Sequence, residues 1–443
     1  MKGYRHLFLN NRLFTASGLL SFLFILCFIL KINTLVPKIL FFTFVAFIIT
    51  DLILLFRARR GVSGERQTPD RLSNGDDNGI GILVQNHYTF KISIRLFDEI
   101  PHQFQRRDLE FNFHLLPGQQ HLINYKLKPV IRGEYSFGVV NALVSTPLRL
   151  AARRFQLGQP KLVPVYPSFL QMRKYELLAI HNRLTDAGVK KIRKIGHNQE
   201  FEMIREYVGG DDIRTLNWKA TARRSRLMVN QYQDERSQQV YCLIDKGRVM
   251  QMPFQEMSLL DYAINASLVI SNIAIKKYDK AGLITFSDRI GNMVPASRKN
   301  NQIGLILEVL YHQKTTFPES DFSRLHLHIR NKLTQRSLLL LFTNFESLYA
   351  MERQLPYLKN LAQRHVLVVV FFENTEPKAL LDHPAKDIRS VYHKAIAEKF
   401  SYEKKMIVGE LNRHGIHTIL TAPENLTVQT INKYLELKAR NLI

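Results

Sequence analysis

Two apolar runs near the start of the chain constrain what it can become before anything else does. No charged residue interrupts the sequence from Leu13 to Leu30, and only Asp51 does so from Ile39 to Phe56. Each run would make about 27 Å of helix, close to the hydrocarbon thickness of a bilayer. The first is not read as a cleaved signal peptide: "KINTLVPK" offers no small-residue cleavage site, and a second apolar run follows at once. Lys2, Arg5 and Arg12 precede the pair, Arg57, Arg59 and Arg60 follow it, and only Lys31 and Lys38 lie between. That bias predicts a two-helix hairpin with both ends, and the rest of the chain, in the cytoplasm. Asp51 is the one ionisable group inside a span. Being close to Arg57, it is expected at the inner headgroups with water or Arg12 as its partner.

The chain is 443 residues long, enough for two or three domains with a sizeable core. Its 62 basic and 38 acidic residues leave a net charge of +24, which suits phospholipid headgroups, nucleic acid or an acidic partner. Cys27 and Cys242 are the only cysteines. Two such thiols exclude a disulfide framework and a cysteine metal cluster, and fit a reducing compartment.

Beyond the hairpin (1–60), residues 61–77 are polar and rich in Gly, Ser and Asn, and read as a linker. Residues 78–165 alternate apolar and polar in short stretches: "GIGILVQNHY", "FKISIRLFDEI", "DLEFNFHLL", "QHLINYKLKPV" and "GEYSFGVVNALV". Turn signals such as Pro117-Gly118 punctuate them. The pattern predicts an all-β, immunoglobulin-like sandwich. Its histidines, His87, His102, His114 and His121, lack ligand spacing. A basic connector covers 166–236. From 237 to 443 apolar strand runs alternate with amphipathic helices, which predicts a parallel sheet covered on both faces.

In such a sheet, sites form at the carboxyl ends of the strands. Asp245 and the pair Thr343-Asn344 stand at two of those ends. The placement resembles the von Willebrand factor A domain, whose metal-adhesion site uses Asp-x-Ser-x-Ser, a threonine and a later aspartate. Here Gly247 and Val249 replace both serines, Asn344 replaces the aspartate, and Thr315 or Thr316 supplies the threonine only loosely. One carboxylate is a poor set for Mg²⁺, so the expectation is a degenerate site in which Asp245 caps a loop or helix. No GxxxxGK[ST], GxSxG, HExxH or Cys/His metal pattern occurs. No nucleophile–base pair stands out either, so no catalytic residue and no small-molecule substrate is expected.

Residues 206–235, "EYVGGDDIRTLNWKATARRSRLMVNQYQDE", hold the chain's only tryptophan. Asp212 is expected to cap a helix over "IRTLNWKATAR", with Asp211 paired to Arg205 or Arg214. Lys190, Lys191, Arg193, Lys194, Lys219, Arg223, Arg224 and Arg226, with Tyr207 and Trp218, combine charge and stacking groups as single-strand binders do. A basic surface beside anionic lipid explains the same residues, and no recognised nucleic-acid module is present.

The stretch "REYVGGDDIRTLNWKATAR" resembles the signature of the bacterial "domain of unknown function 58" family. Its matching positions are Arg205, Tyr207, Gly210, Asp211, Arg214, Asn217, Trp218, Lys219, Ala222 and Arg223, and Glu235 follows in "QDER". Gly209 stands where the family often has proline. Two N-terminal membrane segments, "RGEYSFG", the "VYP" junction and a von Willebrand A-like domain complete the family's layout. The resemblance implies a bacterial inner-membrane protein with no known enzymatic activity or cofactor, acting with a MoxR-type AAA+ ATPase in envelope or maturation functions. The position of the signature, Asp212 included, just after a basic connector and just before the first strand of the sheet domain, reads as a structural joint in which Trp218 packs, with Lys219, Arg223 and Arg224 left to a partner. The rival readings are a membrane-tethered nucleic-acid binder and a metal-dependent adhesion-type binder using Asp245, Thr316, Thr343 and Asn344.

Overall fold

The computed structural model describes residues 6–30, 35–58, 60–106, 109–180, 200–209, 213, 216–233, 237–373 and 387–442. The chain divides into two compact units, Met1–Tyr166 and Pro167–Ile443.

The first unit begins with a short strand, β1 (Leu7–Leu9), then two apolar helices, α1 (Asn11–Ile29) and α2 (Leu35–Arg57). Both helices are long and apolar enough to cross a membrane, and α1 buries none of its side chains. Ten further strands follow: β2 (Val62–Gln67), β3 (Leu72–Ser73), β4 (Asn78–Asn86), β5 (Ile92–Asp98), β6 (Glu110–Leu115), β7 (Gln120–Leu127), β8 (Gly133–Phe137), β9 (Val140–Ser145), β10 (Ala151–Leu157) and β11 (Lys161–Tyr166). They form three sheets ordered β1-β10-β9-β5-β6, β2-β4-β7 and β3-β11-β8. Alternation turns Ile82 and Val84, Ile92, Ile94 and Leu96, and Ala142 and Val144 into one apolar core. A second gathers Leu72, Tyr135, Phe137, Val163 and Val165. Beside it Arg66 grips the buried Asp98 through Nε (3.1 Å) and Nη2, and Tyr125 donates to the same carboxylate.

Three expectations need correction here. The stretch 61–77 is not a free linker, because its Val62–Gln67 segment pairs antiparallel with β4 along its whole length. The run "GEYSFGVVNALV" is two strands, turned at Gly138, whose N–H donates to Glu99 O (2.9 Å). Asp51 does not rest on water or Arg12. It is fully buried and accepts from Thr146 Oγ1 and from the N–H groups of Leu150 (3.2 Å) and Ala151 (2.8 Å). The end of α2 is held in the same way: Tyr88 Oη and Arg153 Nη1 each donate to Leu55 O at 2.8 Å.

The second unit opens with α3 (Phe169–Ile180) and the paired strands β12 (Glu200–Glu206) and β13 (Met228–Gln233), with α4 (Trp218–Arg224) between them in sequence. The remainder runs β14 (Gln239–Asp245), a two-residue hairpin pair β15 (Pro253–Phe254) and β16 (Met257–Ser258), α5 (Leu259–Lys276), β17 (Lys280–Phe286), β18 (Ile290–Ser297), α6 (Gln302–Tyr311) and α7 (Phe322–Lys332). It continues with β19 (Leu338–Phe342), α8 (Leu348–Arg364), β20 (Val366–Phe372), α9 (Ile388–Arg413), β21 (His417–Thr421) and α10 (Leu426–Ala439). Side-chain caps set several helix starts: Ser258 for α5, Asp321 for α7, Ser347 for α8 and Asp387 for α9.

One sheet of six strands organises this unit, in the order β18-β17-β14-β19-β20-β21. Five strands are parallel and β18 runs antiparallel to β17 at the edge. The expected all-parallel sheet is therefore mixed. Strand β18, "IGNMVPAS", escapes a pattern reading because Gly291, Asn292 and Pro295 break its alternation, which an edge tolerates. Helices α5, α6 and α10 pack on one face, and α7, α8 and α9 on the other. Cys242 lies in the first of these cores, where burial pushes its thiol up to about 12. Helix α5 is a third segment long and apolar enough to cross a membrane, yet most of it is buried within this core. Lys438 Nζ (2.9 Å) and Tyr434 Oη (2.5 Å) meet the buried Asp279 carboxylate and fix α10 to the sheet.

Candidate functional site

The sheet's strand order reverses between β14 and β19, and Asp245 and Thr343 stand at the carboxyl ends of those two strands. A crevice at such a reversal is where open α/β sheets hold their ligands. Asp245 is fully buried there. Its Oδ1 accepts from Ser320 Oγ and from the Gly247 N–H (2.8 Å), and its Oδ2 accepts from Thr343 Oγ1 (2.6 Å). Burial raises the Asp245 carboxyl above the ordinary carboxylate range, while the Ser320, Thr343 and Gly247 hydrogen bonds pull it back only in part. Two further bonds staple the segment carrying Ser320 over the Asp245 loop. Thr315 Oγ1 donates to Lys246 O (2.8 Å), and the Arg248 N–H donates to Pro318 O (3.0 Å).

Asp245 and Thr343 are thus brought together as their strand ends suggest, whereas the other two candidates are not. Thr316 is exposed, and Thr315 faces inward in its place. The Asn344 Oδ1 accepts from Lys404 Nζ (2.7 Å) on α9, an ammonium that also donates to Phe345 O (2.5 Å). Loss of water around that half-buried group pulls Lys404 down to about 8. Ser320 and Lys404 are the members that sequence reading misses. Ser320 immediately precedes the cap of α7, a helix whose pattern is too sparse to recognise, and Lys404 sits in the middle of a long polar helix.

The residues present do not fit Mg²⁺. A hard divalent cation wants six oxygens, charged ones foremost. Here one carboxylate is already committed to three donors, one of them a backbone N–H that repels a cation, and an ammonium occupies Asn344. Gly247 leaves no space for the missing serine, because a Cβ there would stand 1.8 Å from Ser320 Oγ. Among the described residues, no three His, Cys, Asp or Glu side chains gather as a metal group. Beside the Asp245 cage lies a cleft of about 370 Å³, lined by Phe254, Leu259, Phe372, Phe400, Lys404 and Leu420 among others.

The signature stretch before β14 has its own geometry. Asn217, not Asp212, caps α4: its Oδ1 accepts from the Ala220 N–H (3.0 Å) and its Nδ2 donates to Asn230 Oδ1 (2.7 Å). The Asn217 N–H donates to Met228 O (2.8 Å), tying the cap to β13. Arg205, half-buried, donates to Glu206 O (3.1 Å), and Tyr207 is likewise half-buried. Trp218 opens the helix on its outer side and is 69% exposed, so it does not pack in a joint. Lys219, Ala222, Arg223 and Arg224 are exposed with it. Gly210, Asp211, Asp212, Arg214 and Glu235 lie outside the described residues, as do Lys190, Lys191, Arg193 and Lys194.

This stretch is also where the chain matches known proteins. Residues 203–382 match the family described as "Protein of unknown function DUF58". Over that span the chain is similar to that family. A relative in Bacillus subtilis (strain 168), "Uncharacterized protein YeaD", is 25% identical over 217 residues, 47% of this chain and 53% of that protein. The match therefore spans about half the length of that relative. Among solved structures, the CARDB domain of PF1109 from Pyrococcus furiosus, in complex with di-metal ions, is 13% identical at a TM-score of 0.15, covering 22% of this chain and 93% of its own. Proximal thread matrix protein 1 from the mussel byssus is 9% identical at a TM-score of 0.26, covering 46% of this chain and 47% of its own. Both superpose too poorly to bear on the fold. The matched span takes in β13, the Asp245 cage and most of the sheet, so the exposed Trp218 helix and the cage fall within one matched segment.

Proposed function

We propose that the protein is a membrane-anchored, non-enzymatic adaptor whose second unit offers a docking face to a cytoplasmic MoxR-type AAA+ ATPase. One observation carries the docking face. Ile388, Tyr392, Ile396 and Phe400 recur every four residues along α9, all are exposed, and Phe400 also lines the cleft beside the Asp245 cage. Four-residue spacing puts them on one side of the helix. An exposed apolar stripe of that length is a surface a partner covers. The ATPase class comes from the family resemblance alone. In this reading the second unit is a von Willebrand A-like domain whose adhesion site has been sealed, with Asp245 fixing loops instead of binding metal. The strands of the first unit form an immunoglobulin-like spacer, and the hairpin sits in a bacterial inner membrane with both units cytoplasmic. Affinity capture from crosslinked, nucleotide-supplied membranes should recover a MoxR-type ATPase, and Tyr392→Glu with Phe400→Glu should abolish the recovery. Capture of no such ATPase by the wild type sinks the adaptor reading.

A second reading has its own observation. Trp218 stands exposed on α4 beside Lys219, Arg223 and Arg224, an arrangement that would stack a base and hold its phosphates. Salt-dependent retardation of single-stranded DNA or RNA, weakened by Trp218→Ala, would favour it over the adaptor.

A further inference from the structure

We propose that the turn between β9 and β10 in the first unit is a membrane-contact element, with Pro147 and Leu148 seated at the boundary between lipid headgroups and acyl chains. The inference rests on the hairpin spanning a bilayer, and concerns what the β-strand part of that unit does there.

Two independent geometric constraints place the turn at that depth. The first comes from α1. Its 19 residues make about 28 Å of helix, so nearly all of them are needed to cross a hydrocarbon core of about 30 Å. Its first residue must then lie at the boundary. The residue just before it, Asn10, donates its N–H to Leu150 O (3.1 Å), and its Nδ2 reaches Ser145 Oγ (3.0 Å) and Arg149 O (3.2 Å). The turn is therefore at the level where α1 starts.

The second constraint comes from α2. Asp51, which holds Thr146, Leu150 and Ala151, lies six residues before the helix ends at Arg57. That is about 9 Å of helix rise back toward the bilayer. At this level α2 still shows its apolar side chains outward: Ile49 is 51% exposed and Ile53 59% exposed. The turn thus clasps the helix where the helix is still dressed for lipid.

The chemistry of the turn suits the place. Its sequence, Thr146-Pro147-Leu148-Arg149-Leu150, carries no acid. Pro147 and Leu148 project outward, Leu148 at 38% exposure. Phe8 and Leu9 of β1 are exposed beside it, since Leu9 pairs with Ala151. Arg12, exposed in the first turn of α1, supplies a cation at headgroup level. The clasp also explains how a carboxylate is kept at this depth. Its oxygens are shielded from lipid and satisfied by a hydroxyl and two backbone N–H groups.

The test uses the full chain reconstituted in phosphatidylcholine–phosphatidylglycerol vesicles, in a Cys27→Ala background that leaves only the buried Cys242. An environment-sensitive fluorophore is placed in turn at Leu148→Cys, at Phe22→Cys in α1, and at Leu162→Cys. Leu162 is exposed and follows the opposite end of β10, so it reports the aqueous side of the unit. The label at position 148 should show blue-shifted emission, quenching by lipids spin-labelled close to the headgroup, and little quenching by iodide, while the label at 162 shows the reverse. A label at 148 as open to iodide as the one at 162, with the label at 22 quenched by lipid, overturns the proposal and leaves the hairpin intact. A label at 22 that lipid does not quench removes the hairpin and the proposal together.

Discussion

At the scale of single residues, the second unit turns on what Asp245 is doing. A carboxyl raised by burial binds its proton more tightly folded than unfolded. Its contribution to stability is fully present below the unfolded value and is lost as pH rises through the folded one. Asp245→Asn keeps the shape and does not titrate. Thermal unfolding should find the variant more stable than the wild type at pH 8, with the gap closing toward pH 4. A gap that widens toward acid would mean the cage holds an ionised carboxylate. Asp245→Ala should behave oppositely, stranding Ser320, Thr343 and the Gly247 N–H at about 1–3 kcal/mol for each buried group left unpaired. Asp245 and Thr343 could be read from sequence because strand ends announce themselves after apolar runs such as "YCLI" and "LLLLF". Ser320 could not, since its link to Asp245 spans 75 residues and the helix that follows it has only three buried positions.

At the scale of elements, period and capping explain which parts of the fold were visible beforehand. Strands β14, β17, β19 and β20 are five to seven residues long and almost wholly buried, and α9 is one of the helices that alternate with such strands. Several of the misses share one cause: their stability comes from partners that the local pattern does not show. Strand β1 exists because β10 offers it an edge, and α4 begins at Asn217 because β13 ties down that residue's backbone. Residue Asp51 belongs to this class, since its partners are 95 to 100 residues away. Asp51→Ala should leave α2 helical but strand the Thr146 hydroxyl and two N–H groups, about 1–3 kcal/mol for each that stays buried. Limited proteolysis in detergent should then cut between Thr146 and Ala151, where the wild type resists. Equal resistance would show that the strand pairing alone holds the turn.

At the scale of the whole molecule, the hairpin and the β-strands of the first unit are one folded body, because β1, Asp51, Tyr88 and Arg153 all cross from one to the other. Shortly after α2, Val62–Gln67 is taken up by pairing with β4 within that body, which removes slack a tether would give. The other feature with consequences at this scale is α5. Mean hydropathy separates it from the hairpin only by degree, 1.2 against 2.0 and 2.7 for α1 and α2. In the proposed membrane topology it would emerge on a nascent chain as a third apolar segment behind two that enter the bilayer, before β17, β19 and β20 are available to enclose it. In that topology, what would keep it out of the bilayer is its polar side chains, Asp261, Asn265, Ser271 and Asn272 among them. Replacing those four with leucine should convert the helix into a stop-transfer segment and send everything after residue 276 to the opposite side of the membrane, a change that a glycosylation reporter fused downstream would register. On that topology the core of the sheet would double as a sorting signal, written in the same residues that let it fold.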